Sequence, residues 1–561
     1  MKLTIDNIEF ESDEELTIYQ AAQKVGVDIP VMCYKEGYDY FTSCMMCVVK
    51  DKKTGRQHPA CSQQALDGME IDTNCEEIKE ARKMTLELLL SDHIGDCEAP
   101  CQRVCPVHME VPKMIREIMD DQMEEAIATV RLDLPVPSML ERHCNAPCET
   151  GCRRSKHDEG LAIRELARHA GDWDLKRDNP HVPKVKEPNG KKIAIVGAGP
   201  TGLATAHYLA QLGYGCTVYE KTDKIGGRIA TEFEKKPLPD WIHDGELKVL
   251  KAMGIEFHLN TEIGKDKALS ELQESADIVV LSCGATEPET LEAMGMPVTP
   301  KGMKVSMKTG QTEIKTVFAG GSILKPKQPL IKSFTSAKNL SACIDELMRG
   351  VPMVGIVEKY NHKMGRLIDG ELEIFVSGAN PIGRLHPEDI VENGFTHEDA
   401  QMEGTRCMHC DCRKKDNCKL RDYSDEYGAR QAAFNGEERA THEHVNQNAG
   451  AVYEPGKCIK CGLCVRVTEA EGEDFGFTFV GRGFDLKTGI SLNKRLDEGL
   501  VKVAEQVVEA CPTGALATNE KLMPEFLGYL PPGLKKLPVR SEEGEEEKEA
   551  VVASSEDSPE S

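Results

Sequence analysis

The spacing of apolar and polar positions changes several times along the chain and predicts segments of different structure. Residues 2–11 alternate between apolar and polar side chains, which predicts a β-hairpin that turns at Asp6 and Asn7. Residues 17–20 have the pattern of a capping box and predict a helix that Gly26 closes. Residues 76–172 have a mostly helical pattern, with one amphipathic helix expected over 114–127. The Pro- and Lys-rich stretch 176–189 predicts a linker.

Composition limits the class of protein. A chain of 561 residues is too long for one hydrophobic core and suggests about three to five domains. No apolar run approaches the roughly 18 residues of a membrane span, and the first ten residues lack the apolar block of a signal peptide. We therefore expect a protein of the reducing cytoplasm that does not insert into membranes. The net charge of −25 argues against nucleic acid as a partner. Residues 541–561 contribute nine acids and one lysine to it, which predicts a disordered acidic tail.

Cysteine is the most informative residue type. The chain has 22 cysteines, and in a reducing compartment clustered cysteines indicate metal ligands rather than disulfides. Eighteen fall into four motifs whose spacings are typical of iron–sulfur ligation. The four motifs consist of Cys33, Cys44, Cys47 and Cys61; Cys97, Cys101, Cys105, Cys144, Cys148 and Cys152; Cys407, Cys410, Cys412 and Cys418; and Cys458, Cys461, Cys464 and Cys511.

The first motif places three thiols on one loop and a fourth after a gap of thirteen residues. Its wide first gap, the preceding sequence Leu16-Thr-Ile-Tyr-Gln-Ala-Ala and the sequence Pro59-Ala-Cys61 resemble the [2Fe–2S] domain of iron hydrogenases and of the large iron–sulfur subunit of NADH dehydrogenases. The resemblance implies a [2Fe–2S] cluster, and a zinc-holding loop is the alternative.

The second motif comprises two triplets of cysteines about forty residues apart. Ala99-Pro-Cys-Gln-Arg-Val-Cys-Pro106 and Glu149-Thr-Gly-Cys152 resemble the N-terminal domain of the glutamate synthase small subunit and of dihydropyrimidine dehydrogenase. This resemblance implies two [4Fe–4S] clusters, one on Cys97, Cys101 and Cys152 and one on Cys105, Cys144 and Cys148.

Two departures from that family leave the second motif short of ligands. The family has one more early cysteine, where this chain offers only His93, and it has Gln or Glu at the position of Ala167. His93 is therefore a candidate ligand. Either a non-cysteine group or an exogenous ligand completes the remaining cluster, or only one cluster is built.

A dinucleotide-binding fingerprint follows the linker. The strand-like run 192–196 leads into a glycine turn that opens a helix, where the backbone approaches a pyrophosphate and the helix N-terminus favours its charge. Glu220 ends the next predicted strand, as required to bind a ribose hydroxyl. Later segments, among them 316–321, resemble the glutamate synthase family, which implies FAD. The candidate FAD-binding residues are Gly197, Gly199, Pro200, Thr201, Gly202, Glu220, Lys221, Gly226, Gly227, Arg228, Gly320 and Gly321.

One domain of that family is missing here. The family inserts a second nucleotide-binding domain, for NAD(P)H, at a place where this chain has only about thirty residues between Gly284 and Thr316. That length is too short for half of a Rossmann fold. We therefore expect that this chain does not bind NAD(P)H directly.

The C-terminal motifs differ in clarity. Cys458, Cys461, Cys464 and the Cys511-Pro pair have ferredoxin spacing and predict one [4Fe–4S] cluster. The four cysteines between 407 and 418 suit either a [4Fe–4S] cluster or tetrahedral zinc, and the neighbouring motifs favour iron.

These features together predict a multidomain α+β and α/β iron–sulfur flavoprotein oxidoreductase that carries FAD, a [2Fe–2S] cluster and three or four [4Fe–4S] clusters. We expect an electron-transfer subunit whose partners are other redox subunits or ferredoxin, within a complex of hydrogenase, formate dehydrogenase or NADH dehydrogenase type. One alternative is a self-sufficient NAD(P)H-dependent oxidoreductase, and another is a zinc-binding scaffold or regulator. The expected domains are a β-grasp [2Fe–2S] domain (1–75), a helical [4Fe–4S] domain (76–175), a Rossmann-like FAD domain without the NAD(P)H insertion (190–350), a connecting region (351–400), a ferredoxin-like C-terminal iron–sulfur domain (401–525) and a disordered acidic tail (535–561).

Overall fold

The N-terminal residues form a mixed five-stranded sheet packed on one helix. Its strand order is β2-β1-β5-β3-β4, with β1 and β5 parallel and the other neighbours antiparallel. The predicted hairpin is confirmed, and Asp6 and Asn7 have positive φ angles in its turn. The capping box on Thr17 and Gln20 is confirmed as well. The elements are β1 (Lys2–Ile5), β2 (Ile8–Glu11), α1 (Ile18–Lys24), β3 (Val48–Asp51), β4 (Gln57–Pro59) and β5 (Glu70–Asp72).

The computed structural model describes residues 1–231, 238–299, 302–326, 328–387, 394–434, 439–447 and 449–518. Residues Met1–Asn519 form one compact unit. The acidic tail predicted to be disordered, 535–561, lies outside the described residues. No helix in the described part is both long and apolar enough to cross a bilayer.

Helices dominate the next hundred residues. The single helix predicted over 114–127 is wrong, because the chain turns at Asp120–Gln122, where Asp121 adopts a φ of +58° and its N–H bonds to the Ile118 carbonyl. Two shorter helices therefore pack against each other. The helices are α2 (Glu76–Ser91), α3 (Pro100–Val104), α4 (Val111–Met119), α5 (Met123–Asp133), α6 (Pro137–Leu140), α7 (Pro147–Thr150) and α8 (Ile163–Leu175).

A five-stranded parallel sheet follows, in the order β12-β9-β6-β7-β8. Its central strands are almost entirely apolar because helices cover both faces, as in Rossmann-like folds. Between Gly284 and Thr316 the described residues form one short helix and a two-stranded ladder. The elements are β6 (Lys192–Val196), α9 (Pro200–Gln211), β7 (Gly215–Tyr219), α10 (Arg228–Thr231), α11 (Asp240–Ala252), β8 (Glu256–His258), α12 (Leu269–Ser275), β9 (Ile278–Leu281), α13 (Pro288–Ala293), β10 (Val298–Thr299), β11 (Gly302–Met303), β12 (Val317–Ala319) and α14 (Leu330–Met348).

The C-terminal part packs short helices on small sheets and returns to the N-terminal domain. One hydrophobic core joins Met32 and Cys44 to Leu463, Val467 and Leu516. Phe41 and Phe479 stack with ring centroids 5.5 Å apart across the same boundary. The elements are α15 (Glu371–Ser377), α16 (His397–Gly404), α17 (Lys419–Glu426), β13 (Val445–Asn446), β14 (Ala451–Tyr453), α18 (Leu463–Ala470), β15 (Phe477–Val480), β16 (Lys487–Ile490), α19 (Leu496–Gly499), α20 (Ala504–Ala510) and β17 (Leu516–Thr518).

A buried ion network fastens the helical region to the parallel-sheet domain. Arg131 on α5 donates to Asp174 on α8 at 3.1 Å and to Glu246 on α11 at 2.8 Å, and all three side chains are fully buried. The second oxygen of Glu246 accepts the Ser138 N–H at 3.0 Å. Removing the arginine would leave Glu246 buried without a counter-charge and would leave Asp174 with only the more distant Arg177, at 3.7 Å.

We expect Arg131→Ala to lower the free energy of unfolding by about 3–5 kcal/mol, because Glu246 loses its cation and Asp174 loses the nearer of its two cations. The measurement is urea unfolding followed by tryptophan fluorescence, since the two tryptophans, Trp173 and Trp241, lie on α8 and α11. Arg349→Ala is the control, because its ion pair with Asp345 is exposed and should matter by less than about 0.5 kcal/mol. Equal effects of the two substitutions would contradict the role of the network.

Candidate functional site

The predicted nucleotide fingerprint forms a close-packed turn between β6 and α9. A Cβ on Gly202 would lie 1.9 Å from the Gly197 carbonyl oxygen, and one on Gly197 would lie 2.7 Å from the Ser282 carbonyl oxygen. Gly199 is the N-cap of α9, so the first N–H groups of that helix face the cleft in front of it. The glycines are therefore required by backbone approach, as a pyrophosphate site requires.

A second pair of segments completes the cleft. The Glu220 carboxylate accepts the Ala198 N–H at 2.8 Å, and the Gly226 N–H donates to the Ala198 carbonyl at 2.8 Å. Gly321 has a φ of +80°, and a Cβ there would meet the Thr201 hydroxyl at 2.1 Å. The cleft has a volume of about 780 Å³, within the range of cofactor pockets. Its lining includes Gly197, Gly199, Pro200, Thr201, Glu220, Lys221, Gly227 and Arg228.

The remaining predicted glycines, Gly202, Gly226, Gly320 and Gly321, shape this cleft from behind rather than line it. Cys283 is half-buried and lines the cleft, with its sulfur accepting from the Thr286 hydroxyl at 3.4 Å. The shape, the glycine turns and the acid at the end of β7 fit an FAD.

The cysteines of the first motif converge as their spacing predicts. Cys33 has a lowered pKa because the Cys44 and Cys61 thiols hydrogen-bond to it, and Cys61 also bonds Cys47. All four are buried. We call this group the Cys33 site (Cys33, Cys44, Cys47 and Cys61).

The last motif also converges. Its sulfurs line one small cavity that Thr488 and Pro512 close. Burial raises the pKa of Cys464, and the neighbouring Cys461, Cys458 and Cys511 raise it further. We call this group the Cys458 site (Cys458, Cys461, Cys464 and Cys511).

The other two motifs interleave, and their grouping differs from the expectation. Burial raises the pKa of Cys101, and it is raised further by Cys152, Cys407 and Cys410. Cys152 in turn raises the pKa of both Cys407 and Cys410. Two thiols of the 407–418 motif thus join two thiols of the helical region, and we call this group the Cys101 site (Cys101, Cys152, Cys407 and Cys410).

Cys97 leaves Cys101 and Cys152 and lies instead with the other half of the 407–418 motif. The Cys412 N–H donates to the Cys97 carbonyl at 3.1 Å. Burial, and to a lesser degree the neighbouring Cys412 and Cys97 thiols, raise the pKa of Cys418 to about 12. We call this group the Cys97 site (Cys97, Cys412 and Cys418).

His93 lies at the edge of the Cys97 site. Burial lowers its pKa, and both His93 and Cys412 interact with Lys457 and Glu454. The other nearby imidazole, His362, turns its ring toward the carbonyls of Gly95 and Leu90.

The remaining group contains Cys105, Cys144 and Cys148, as predicted from the second motif. Burial raises the pKa of each of the three, and each also interacts with a carboxylate, that of Glu141. Sequence reasoning missed Glu141, although an acid three residues before a ligand on one helical turn is a signal that could have found it. We call this group the Cys105 site (Cys105, Cys144 and Cys148).

The separation of the sulfurs bears on the choice between iron and zinc. In the described part of the chain, only His442, His444 and Glu454 form a group of three possible ligand residues whose ligand atoms all lie within 4.8 Å of one another. No cysteine belongs to a group of three that is this close. A tetrahedral zinc site, with Zn–S bonds of about 2.3 Å, holds its sulfurs less than about 4 Å apart. The wider cysteine groups fit iron–sulfur clusters, and the 407–418 motif is divided between two sites rather than wrapped around one zinc.

Buried cations accompany the thiols. Burial alone would lower the pKa of Lys457, but the Cys412 thiolate and the Glu454 carboxylate raise it above its usual value. Its ammonium group donates to Glu454 at 2.5 Å, so the charge beside His442 and His444 is already balanced. Arg153 donates to Asp96 at 2.6 Å and also bonds Cys410.

Comparisons with known families match three parts of the chain. Residues 1–76 match the 2Fe-2S iron-sulfur cluster binding domain, residues 73–179 match the family described as dihydropyrimidine dehydrogenase domain II, 4Fe-4S cluster, and residues 154–339 match the pyridine nucleotide-disulphide oxidoreductase family. These matches place iron–sulfur and nucleotide-binding domains in the order of the sites described above.

Curated relatives share about a third of their length with this chain. The NADPH-Fe(3+) oxidoreductase subunit beta of Geobacter sulfurreducens is 36% identical over 224 residues, which are 40% of this chain and 33% of that protein. The NADP(+)-dependent formate dehydrogenase subunit beta of Moorella thermoacetica is 36% identical over 207 residues, 33% of this chain and 29% of that protein. The glutamate synthase [NADPH] small chain of Bacillus subtilis is 34% identical over 189 residues, 33% of this chain and 38% of that protein.

The predicted resemblance to the glutamate synthase small subunit and dihydropyrimidine dehydrogenase is therefore confirmed, and so is the [2Fe–2S] domain ahead of it. The chain therefore joins three regions that match, in this order, a [2Fe–2S] domain, a domain II of the dihydropyrimidine dehydrogenase type and a pyridine nucleotide-disulphide oxidoreductase domain.

Proposed function

We propose that this chain is an electron-transfer subunit that holds one FAD, one [2Fe–2S] cluster at the Cys33 site and one [4Fe–4S] cluster at each of the other four cysteine sites. His93 completes the Cys97 site as its fourth ligand. The domains are a β-grasp domain (1–75), a helical domain (76–175), an FAD domain without an NAD(P)H insertion (190–350), a connecting region (351–400), a ferredoxin-like domain (401–525) and an acidic tail (535–561).

The observation that carries the proposal is the unbroken order of the sites. Next to the flavin cleft, Met139 contacts the position of Gly226, and Thr335 on α14 donates to the Pro106 carbonyl at 2.8 Å, directly after Cys105. The Cys105 and Cys101 sites share helix α3, where the Cys105 N–H donates to the Cys101 carbonyl at 3.3 Å. The cleft therefore adjoins the Cys105 site, and that site adjoins the Cys101 site.

The same continuity extends to the other end of the chain. The Cys101 and Cys97 sites share the loop that runs from Cys410 to Cys412. Cys418 of the Cys97 site interacts with Cys511 of the Cys458 site. Arg466 then bridges the Cys458 and Cys33 sites, because it donates to the carbonyls of Cys33 at 2.9 Å and Cys461 at 3.4 Å.

Bound iron–sulfur clusters carry single electrons, and a bound flavin exchanges one or two. The protein contributes fixed positions, dry surroundings and positive charge. Lys457 and Arg153 place cations beside Cys412 and Cys410, which stabilises thiolates and the added charge of a reduced site. Lys414 donates to the carbonyls of Val508 and Cys511 and so fixes the end of α20 against the Cys458 site.

The relatives suggest the setting. Two of them are named as beta subunits of an NADPH-Fe(3+) oxidoreductase and of a formate dehydrogenase. We infer that this chain also works beside other redox subunits or a ferredoxin, in the reducing cytoplasm where free thiols persist. Neither nucleic acid nor a membrane is needed for this role. Of the alternative functions, the zinc scaffold has less support, because among the described residues no three cysteine sulfurs lie within 4.8 Å of one another.

The iron content tests the proposed grouping of cysteines. We expect Cys101→Ala and Cys407→Ala each to remove about four iron atoms from an expected total of about 18 per chain, and the double variant to remove no more than either single one, because both thiols serve one cluster. The measurement is iron and acid-labile sulfide per chain after anaerobic purification. Cys216→Ala, which changes a buried thiol of the flavin domain, should change neither.

A combination across the 407–418 motif distinguishes this grouping from the one suggested by sequence spacing. Cys407→Ala and Cys412→Ala belong to different sites, so their double variant should lose about eight iron atoms. A loss of only four iron atoms in the double variant would indicate instead that all four cysteines of that motif bind one cluster.

Flavin content tests the glycine turn. Gly202→Ala should reduce extracted FAD at least tenfold, because its Cβ would overlap the Gly197 carbonyl oxygen and move the turn that faces the pyrophosphate. Iron at the Cys33 and Cys458 sites should remain. Gly383→Ala, where a Cβ meets no atom within 4 Å, is the matched control. Full flavin in Gly202→Ala would place the cofactor elsewhere.

Reduction by NADH or NADPH tests the expectation that this chain does not bind NAD(P)H directly. Anaerobic protein mixed with NADH or NADPH should show no bleaching of its visible absorbance within the time in which dithionite bleaches it completely. Rapid bleaching by either nucleotide would favour the self-sufficient NAD(P)H-dependent oxidoreductase instead.

A further inference from the structure

The Cys105 site has three thiols, one fewer than a [4Fe–4S] cluster takes from four-cysteine motifs. Ala167, at the position where the related family has an amide or carboxylate, is fully buried on α8 and has no atom that binds iron. The fourth ligand must therefore come from elsewhere in the chain or from solution.

Glu141 lies beside this group. It lies directly after α6, on the turn in which the Cys144 N–H bonds the Leu140 carbonyl at 2.9 Å, so Glu141 and Cys144 point the same way. Its carboxylate hydrogen-bonds Cys144 and interacts with Cys148 and Cys105. Cys144 and Cys148 also interact with Cys105 and with each other.

The surroundings of Glu141 differ from those of other buried acids in the chain. Glu246, Glu403 and Glu371 each pair with an arginine within 2.8 Å. Glu141 is only 5% exposed and has no such pair among the described residues. The nearest cation, Arg164, donates instead to Glu165 at 3.1 Å and to the Cys144 carbonyl at 3.3 Å.

A buried acid that hydrogen-bonds one thiol of a three-thiol group and lies near the other two offers the oxygen donor that this group lacks. We propose that Glu141 is the fourth ligand of the Cys105 site and binds one iron of its cluster through a carboxylate oxygen. This inference rests on the proposed function, because it requires a cluster at that site.

Two substitutions test it on anaerobically purified full-length protein. Glu141→Ala should lower iron by about one to four atoms per chain, because the cluster has lost one protein ligand. Loss of one iron should give the EPR signal of a three-iron cluster after mild oxidation, and loss of about four means that the whole cluster of the Cys105 site is lost. Glu141→Cys should restore the iron and abolish that signal. Glu117→Ala is the matched control, because Glu117 is likewise a buried acid but faces Thr129 and Lys113.

Mössbauer spectra of wild type and Glu141→Cys give a second readout that does not depend on how well Glu141→Ala folds. The wild-type spectrum should contain an oxygen-ligated iron that Glu141→Cys lacks. Identical spectra, or a Glu141→Ala protein with full iron and no three-iron signal, would overturn the role of Glu141. Wild-type protein without iron and sulfide would instead refute the proposed function itself.

Discussion

The whole arrangement of sites depends on the pairing of two segments that lie about three hundred residues apart, 97–105 and 407–418. The Cys412 N–H bonds the Cys97 carbonyl, and Arg116 on α4 holds the buried carboxylate of Asp411 at 3.0 Å. Because the Cys97 and Cys101 sites each take thiols from both segments, neither site exists until the segments meet. With the proposed clusters at these sites, metal binding and the closure of the chain are one event energetically, as in other proteins whose ligands are brought together only by folding.

Buried arginines hold that pairing in place. Arg154, which follows Cys152, is almost completely buried and donates to the carbonyls of Asn380 and of Arg406, at 2.9 and 3.0 Å. Arg406, which precedes Cys407, is itself buried and pairs with Glu403 at 2.7 Å and Asp158 at 3.2 Å. Two ligands of the Cys101 site are thus joined through the residues beside them. Such networks add little net stability, but they leave few alternative positions for the loops that carry the thiols.

Local structure and cofactor type could be predicted from the sequence, whereas long-range pairing could not. The hairpin at Asp6 and Asn7, the glycine turn of the flavin cleft and the convergence of Cys458 with Cys511 follow from short-range patterns. The break at Asp121 was missed because the apolar period continues across it. The division of the 407–418 motif was missed for a different reason. Motif spacing describes thiols of one segment that bind one metal group together. Here the thiols of this segment are instead divided between two groups, which also contain Cys97 or Cys101 and Cys152. Glu141 shows the same limit, since its role depends on Cys105 and Cys148.

The order of the sites follows from the order in which the cysteines of these segments group together. Along the chain from Cys97 to Cys101 to Cys105, the partner thiols move from Cys412 and Cys418, to Cys407 and Cys410, and finally to residues 144 and 148 within the helical region. Cys101 and Cys105 are one helical turn apart, so each step moves the site by a short and fixed amount. The innermost pairing lies beside the flavin cleft, and the outermost lies beside the C-terminal domain. Because successive cysteines of the segment 97–105 group with different partner cysteines, the proposed sites form one continuous path. The flavin cleft lies at one end of this path and the [2Fe–2S] domain at the other.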